Sequence, residues 1–181
     1  MTRKLIALLP LLFIGLLATA QTNQKLSKAE RKAVRKEKQE ANFKRILEAI
    51  ENKEFVVEAH TITNRRGFSV PVSPNTNFVG ISGDGGVIQF AFGNGPGFNG
   101  LGGLTTDGKI VKYELIEQKK GISLKMRLFG SAFGSTDLIL SVNSSGNATV
   151  KVNTLRGGRF TFNGAFRDLE TANVFQGNSI Y

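Results

Sequence analysis

The sequence predicts a mainly β protein, an antiparallel barrel-like meander of about eight strands, of lipocalin size, with one N-terminal helix. Three observations predict this fold. Apolar residues recur at every second position after Glu54, glycine-rich turns return about every ten residues, and a segment with helical periodicity comes first. A two-sheet β-sandwich is the alternative, because both folds need strands with one apolar and one polar face.

The segment before Glu54 has the pattern of one amphipathic helix. Ser27 and Glu30 have the spacing of a capping box, in which each side chain bonds the backbone of the other residue. Neither glycine nor proline follows before Lys53. One helical face carries Phe43, Ile46, Leu47 and Ile50. Because the earlier turns offer only alanine and valine, we expect the helix to dock through its last turns and to begin as a basic, solvated segment.

Nine segments have the pattern of strands, and residues that tolerate positive φ separate most of them. The candidate strands are Phe55–Thr63, Phe68–Val72, Asn77–Ser82, Val87–Phe92, Lys109–Gln118, Ile122–Phe129, Thr136–Asn143, Ala148–Thr154 and Arg159–Arg167. Pro71 and Pro74 indicate an edge strand or a break, because a central strand needs every N–H group.

Alternation predicts which side chains of the later strands face the core. The expected inward residues are Val111, Tyr113, Leu115, Ile122, Leu124, Met126, Leu128, Leu138, Leu140, Val142, Val150, Val152, Phe160 and Phe162. Lysine, serine and other polar residues lie between them. One apolar and one polar face on each strand is what a water-soluble barrel requires.

The first twenty residues have the pattern of a secretory signal peptide. Arg3 and Lys4 precede the apolar run Leu5–Leu17, and small residues end it before Gln21, the expected cleavage point. The run is short for a membrane span. The chain contains no cysteine, so neither a lipid anchor at Gln21 nor a disulfide is expected. The prediction is a periplasmic or secreted protein with a signal peptide at 1–20, a basic helix at 21–53 and a barrel-like domain at 54–181.

The net charge of +10 is concentrated in one segment. Between Lys25 and Arg45 the basic residues exceed the acidic ones by six, whereas the chain from Ile46 onward has an excess of about two. A nucleic-acid partner is therefore not expected, since such domains spread cations over a folded face. Peripheral contact of the basic helix with an anionic membrane is an open alternative, and we expect a monomer or a weak dimer.

Several strings in the chain are shared with a known family: EFVVEA, NTNFVGISGDGGVIQFAFG, GPGFNGLGGLTTDGKIVKYEL, KKGISLKMRL and ANVFQGNSI. In this order the sequence resembles the secreted domain-of-unknown-function family DUF4251 of Bacteroides-type bacteria. The resemblance implies export and a β-rich fold, but no activity and no catalytic residue. Its motif positions here are Asn77, Phe78, Gly97, Asn99, Gly100, Gly103, Asn173, Phe175 and Gly177, which turns and packing would also explain.

The segment Gly93–Gly103 holds six glycines in eleven residues. Gly95–Gly100 matches G-x-G-x-x-G, but a dinucleotide site needs a helix next, whereas a hairpin follows here, and Pro96 lacks an amide. Two alternatives stay open. The segment is a mobile loop over a pocket, with Phe98 and Asn99 at its tip, or a bulged stretch where two backbones approach closely.

Little in the sequence points to catalysis. His60 is the single histidine, without the partners that a metal site or a catalytic triad needs, and is expected half-buried on the first strand. The carboxylates fall mostly at turns and on polar faces. No cofactor, metal ligand or catalytic residue is predicted. Arg65 and Arg66 lie in a turn, where they are solvated or bind an anion.

These observations favour an exported, non-enzymatic binding module of the cell envelope. Its ligand would be small and apolar or amphipathic, held under the loop at 93–103 by Phe98, Asn99, Asn94, Arg65 and Arg66. The main alternative is a structural or interaction protein of the envelope that contacts its partner through the basic helix. A hydrolase with two carboxylates is less favoured. An outer-membrane barrel is disfavoured because aromatic girdles need more tryptophan and tyrosine than this chain has.

Overall fold

The computed structural model describes residues 27–93, 97–118, 121–130, 132–155 and 157–179. In these parts of the chain one helix precedes nine strands and a short 3-10 helix. The elements are α1 (Lys28–Glu51), β1 (Glu54–Asn64), β2 (Ser69–Pro71), β3 (Phe78–Ser82), β4 (Gly85–Ala91), β5 (Gly103–Gln118), β6 (Gly121–Gly130), β7 (Gly134–Asn143), β8 (Asn147–Thr154), β9 (Arg159–Asp168) and the 3-10 helix Leu169–Thr171. The predicted signal peptide at 1–20 lies outside the described residues.

The strands form a closed antiparallel barrel. β1 pairs with β3, and each strand from β3 to β8 pairs with the strand that follows it. β9 then pairs with β1 and closes the ring. This ring contains eight strands, while β2 pairs with the second half of β1 as an additional edge strand. The predicted barrel-like meander is confirmed, and the sandwich alternative is wrong because β1 and β9 join the two sides of the sheet.

The predicted strand limits agree with the structure to within about two residues, with one exception. β5 begins at Gly103, six residues before the predicted start at Lys109. The added residues pair with β4 from Gly103 opposite Ala91 to Lys109 opposite Gly85. Glycine and threonine gave this stretch the composition of a loop, but pairing along the whole of β4 supplies the backbone hydrogen bonds that make it a strand.

Side chains from all eight ring strands fill the barrel. The most deeply buried apolar residues of the later strands include Leu124, Leu138, Leu140, Val150, Val152 and Phe162. The predicted inward position of Val111 is wrong. The β5–β6 register shifts between Ile110 and Lys112, so Ile110 packs on the core and Val111 is 61% exposed. A β-bulge at Val111 explains the reversal, because one extra residue moves a side chain to the opposite face.

The last turns of α1 close one end of the barrel. The capping box is present as predicted, with Ser27 N donating to Glu30 Oε2 at 2.7 Å and Glu30 N to Ser27 Oγ at 3.3 Å. Further along, Ile46 and Ile50 are buried in the barrel core. The Tyr113 hydroxyl donates to the Ile50 carbonyl at 2.5 Å. This bond holds the C-terminal turn of α1 against β5. The helix therefore docks through its last turns, as the sequence predicted.

The beginning of α1 does not touch the barrel core. Every residue from Lys28 to Lys38 is exposed, and the first inward contacts come from Asn42 and Phe43. The Asn42 side-chain amide donates to the carbonyl of Ser144 in the β7–β8 turn at 2.9 Å. About three turns of helix therefore project beyond the barrel into solvent, in agreement with the prediction of a basic, solvated beginning.

Replacing Tyr113 with phenylalanine tests how the helix is held. Burial raises the pKa of the Tyr113 phenol above its ordinary value of 10.0. In the unfolded chain this group ionises first, so its contribution to stability is complete below about pH 10 and is lost as the pH rises further. We expect Tyr113→Phe to lower the free energy of unfolding by about 1 kcal/mol at neutral pH. The difference between the two proteins should shrink above about pH 10.

Urea denaturation of both proteins from neutral to strongly alkaline pH measures this difference. The lysines titrate in the same way in both proteins, so their contribution cancels when one free energy of unfolding is subtracted from the other. Curves that stay parallel across the alkaline range would show that Tyr113 is not buried against the helix.

Candidate ligand-binding site

The end of the barrel opposite α1 is open. Antiparallel strands turn at alternate ends, so the β1–β2 hairpin, the β4–β5 loop, the β6–β7 turn and the β8–β9 turn meet here. The β1 residue Asn64 lies opposite Phe160 of β9, which places the hairpin beside the β8–β9 turn. The predicted loop at 93–103 belongs to this same end.

A groove of about 740 Å³ lies between the β1–β2 hairpin and the β4–β5 loop. We call it the mouth groove. Its lining residues are Ile62, Asn64, Phe68, Val70, Pro71, Val72, Ser73, Thr76, Ala91, Phe92, Gly93, Leu101 and Phe160. The volume falls within the range of small-molecule sites. None of these side chains is a carboxylate, histidine, lysine or tyrosine, so the groove can hold an apolar group and offers only the hydroxyls of Ser73 and Thr76 as reactive groups.

Aromatic side chains form the inner part of the mouth groove. Phe160 packs edge-on against Phe90 with ring centroids 4.8 Å apart, and Phe162 lies 5.0 Å from Phe90. Phe162 is fully buried below them. The barrel interior is therefore filled beneath the groove, as expected of an eight-stranded barrel, and a ligand would lie on this aromatic layer rather than between the sheet walls.

The rim of the mouth groove is unusually apolar for a surface. Phe68 is 68% exposed, Phe92 46% and Val70 43%. Exposed apolar side chains that adjoin one another cost free energy in water and commonly mark a binding surface. All three of these side chains line the mouth groove.

The β1–β2 hairpin presents Arg65 and Arg66 at its tip. The Asn64 side-chain oxygen accepts hydrogen bonds from the backbone N–H of Arg66 at 2.9 Å and of Phe68 at 3.2 Å. Gly67 adopts φ +85°, a conformation that favours glycine. These contacts involve only the backbone of Arg66, and both arginine side chains are exposed, as the turn prediction requires.

Asn99 is not at the tip of the β4–β5 loop, and the prediction of its position is wrong. Its side chain is 2% exposed and donates to the Phe90 carbonyl at 2.9 Å and to Thr105 Oγ1 at 3.2 Å. Its oxygen accepts from the backbone N–H of Leu101 and of Gly103, both at 3.0 Å. Asn99 therefore fixes the base of the loop, and its role as a ligand contact stays a prediction.

The neighbouring loop residues differ from Asn99. Phe98 is 81% exposed and free to contact a ligand, whereas Asn94 lies outside the described residues. A Cβ at Gly97 would collide with the backbone nitrogen of Gly103, and one at Gly103 with the carbonyl of Phe90. The segment was predicted to be either a mobile loop over a pocket or a bulged stretch where two backbones approach closely. Its described residues show the close approach of backbones.

Gln89 of β4 is a buried residue that the sequence analysis missed; it supports the open end without lining either groove. Its amide is fully buried and donates to the carbonyls of Thr76 and Phe175 at 2.9 and 2.8 Å. Its oxygen accepts from Thr105 Oγ1 at 2.7 Å and from the Gly177 N–H at 2.8 Å. All four hydrogen-bonding positions are satisfied. The sequence did contain a signal, because Gln89 is the one polar residue in the apolar segment Val87–Phe92. Alternation alone, however, assigns such a residue to the solvent-facing side of the strand.

The C-terminal segment after the 3-10 helix, residues 172–179, covers the outer face of β3 to β5. Phe175 N donates to the Asn75 carbonyl at 2.7 Å, and Asn178 N to the Asn99 carbonyl at 3.3 Å. A Cβ at Gly177 would lie 2.6 Å from that same carbonyl. Asn99, Phe175 and Gly177, three of the motif positions, thus belong to one packing network of the loop and the tail.

A second groove of about 780 Å³ lies on the outer wall between this tail and strands β3 to β6. We call it the outer groove. It is lined in part by Phe78, Phe129 and Val174, together with Asp107 and Lys109. It differs from the mouth groove because charges of both signs lie in it.

The other residues considered for catalysis or metal binding, His60 and the carboxylates, are not grouped into one site in the part of the chain that the structure describes. His60 lies on β1 as predicted, but it is exposed rather than half-buried, because the β1–β9 register shifts there between Ala59 and Thr61. Glu58 is largely buried and accepts from Arg167 Nε at 3.3 Å and from Asn173 N at 3.1 Å. Within the described residues, no three His, Cys, Asp or Glu side chains are grouped so as to hold a metal ion.

The fold and the groove together define a small closed β-barrel with a helix over one end and an apolar mouth at the other. Comparison with known sequences then gives the family. Residues 37–166 match the model of the domain of unknown function DUF4251, and the chain belongs to this family.

A solved relative supports the same assignment. The structure is similar to the crystal structure of a DUF4251 family protein from Bacteroides eggerthii DSM 20697, with a TM-score of 0.62 and 30% sequence identity. The alignment covers 76% of this chain and 96% of that one. No curated protein shows detectable sequence similarity to the chain.

The neighbours Phe98 and Asn99 give a direct test of how the loop is built. Asn99→Ala removes four hydrogen bonds, two of them buried and two half-buried, and we expect the free energy of unfolding to fall by about 2–4 kcal/mol. Phe98→Ala is the control and should change it by less than about 0.5 kcal/mol, because that side chain lies in solvent. Chemical denaturation measures both. Equal effects of the two substitutions would contradict the buried position of Asn99.

Proposed function

We propose that this protein is an exported, non-enzymatic binding module that holds a small apolar or amphipathic ligand in the mouth groove. The observation that carries the proposal is the exposed apolar rim of Phe68, Val70 and Phe92 around a groove of about 740 Å³. A bound apolar group would remove this surface from water, at about 25 cal/mol for each Å² buried.

Two features favour binding over catalysis. The residues that line the mouth groove include no carboxylate, histidine, lysine or tyrosine. In addition, Asn99 bonds the backbone of Gly103 and of Leu101, which lines the groove, so this part of the groove wall is formed before the ligand arrives. Preorganisation of this kind raises affinity because less conformational entropy is lost on binding.

The proposed location comes from the sequence. The apolar run Leu5–Leu17 and the small residues before Gln21 are typical of a signal peptide. A periplasmic or secreted protein meets lipids, detergents and envelope components, which are the ligands that such a groove suits. Within the described residues, no helix combines the length and the apolar character needed to cross a bilayer.

Filling the groove should abolish binding without unfolding the protein. Val70→Trp places a large ring among the lining residues, and we expect the affinity for the neutral fluorescent probe N-phenyl-1-naphthylamine to fall at least about tenfold. The matched control is Val111→Trp, which adds the same ring at an exposed position outside both grooves. Its affinity should equal that of the unmodified protein.

Fluorescence titration gives the affinities, and thermal unfolding checks that all three proteins are folded. Absence of probe binding to the unmodified protein would refute the proposed function. Equal weakening by Val70→Trp and Val111→Trp would place the probe elsewhere, which would also contradict it.

A second candidate function is supported by the projecting half of α1. With 3.6 residues in each turn, its cations lie within about 160° of the helix circumference. Glu30 and Glu37 lie on the opposite side, whereas Glu40 lies beside Lys36 and forms an ion pair with it at 3.5 Å. The cations are Lys28, Arg31, Lys32, Arg35, Lys36 and Lys38, and the acidic residues are Glu30, Glu37 and Glu40. All of them are exposed. A one-sided basic face on a solvated helix suits contact with an anionic membrane surface.

This second function predicts salt-sensitive binding to vesicles of phosphatidylglycerol and phosphatidylcholine. The triple substitution K28Q/K32Q/R35Q should weaken binding at least about tenfold at low salt. The control K109Q/K125Q/K151Q removes three exposed cations from the barrel wall and should have little effect. Sedimentation with vesicles measures both. Equal sedimentation of the two variants would contradict a role for the helix face.

A further inference from the structure

The β1–β2 hairpin beside the mouth groove carries two arginines whose side chains are exposed. Among the described residues, the side chains of Arg65 and Arg66 form neither an ion pair nor a hydrogen bond. They stand between Asn64 and Phe68, which both line the groove. Neither arginine lines the groove itself, but the hairpin places both exposed side chains directly beside two residues that do.

A third cation lies at the same end of the barrel, although alternation along β9 turns it away from the groove that Phe160 lines. Arg159 is exposed and directly precedes Phe160, a lining residue that pairs with Asn64 of the hairpin. No aspartate or glutamate lines the mouth groove. The lining of the mouth groove is thus uncharged, with the arginines of the hairpin next to it in the chain, in contrast to the outer groove, where Asp107 and Lys109 both contribute.

Folding of the hairpin does not require these arginines. The turn depends on the Asn64 side chain, which accepts two backbone N–H groups, and on Gly67 with its positive φ. Any residue with an N–H group at position 66 would make the same backbone contact. Two adjacent guanidinium groups that the fold does not need are available to bind an anion, to which each can donate two parallel hydrogen bonds.

We propose that the mouth groove binds a single-chain amphiphile with an anionic headgroup. This inference rests on the proposed function and adds the charge of the ligand. The alkyl chain lies on Phe160, Phe92 and Val70, and the carboxylate, sulfate or phosphate group accepts hydrogen bonds from the guanidinium groups of Arg65 and Arg66. Arginine suits this role because its planar group can donate two parallel hydrogen bonds to such an anion.

The test compares ligands that share a tail and differ in the headgroup. Decyl phosphate and decyl sulfate are compared with neutral decyl maltoside, each below its critical micelle concentration, as competitors of N-phenyl-1-naphthylamine. We expect the anionic amphiphiles to bind at least about tenfold more tightly. Each added methylene in the alkyl phosphate series should raise the affinity by about two- to fourfold. Inorganic phosphate alone should not displace the probe.

The substitutions R65Q/R66Q should bring the affinities for decyl phosphate and decyl maltoside to within about threefold of each other. The matched control K125Q/K151Q removes the same charge from the outer barrel wall, where both lysines are exposed, and should keep the preference for the anion. Thermal unfolding shows whether each variant is folded.

The possible outcomes separate the two proposals. If all decyl compounds bind with similar affinity, or if R65Q/R66Q keeps the preference, the anionic headgroup is wrong and the apolar binding function stands. If inorganic phosphate displaces the probe as well as decyl phosphate does, the site takes a free anion and the amphiphile is wrong. If the probe itself does not bind to the unmodified protein, the proposed function fails, and this inference fails with it.

Discussion

The pairing of β1 with β9 is the constraint on which the rest of the structure depends. Nine residue pairs join the two strands, from Phe55 opposite Asp168 to Asn64 opposite Phe160. Closure removes the free edges of the ring and gives all eight strands one common core. Because apolar side chains from the ring strands fill the interior of this barrel, space for a ligand is confined to the ends or the outside. The helix α1 fills one end, so the mouth groove forms at the other.

Buried carboxamide groups give the open end its fixed shape. Asn99 bonds the two arms of the β4–β5 loop, and Gln89 joins β4 to β5 and to the C-terminal segment. A buried amide that lost one of these partners would incur the cost of an unpaired polar group, so each bond is difficult to break alone. The mouth therefore combines a rigid base with an exposed apolar rim, which is an arrangement suited to binding.

Alternation predicted most of the barrel because a strand with one buried face has a period of two. It could not locate the bulges at His60 and Val111, since one inserted residue changes the facing side without disturbing the composition. The burial of Asn99 was also hidden, because asparagine in a glycine-rich loop equally suits an exposed turn. The tip position of Arg65 and Arg66 was predicted, whereas the groove beside them required the barrel to close.

The central claim is that a ligand enters at the open end of a filled barrel. Mapping amide chemical-shift changes of the ¹⁵N-labelled protein during titration with decyl phosphate tests it most directly. The account predicts changes at the β1–β2 hairpin, at the β4–β5 loop and around Phe160, with little change in α1 or at Val174 beside the outer groove. Changes centred on the outer groove or on α1, with none at the hairpin, would contradict it.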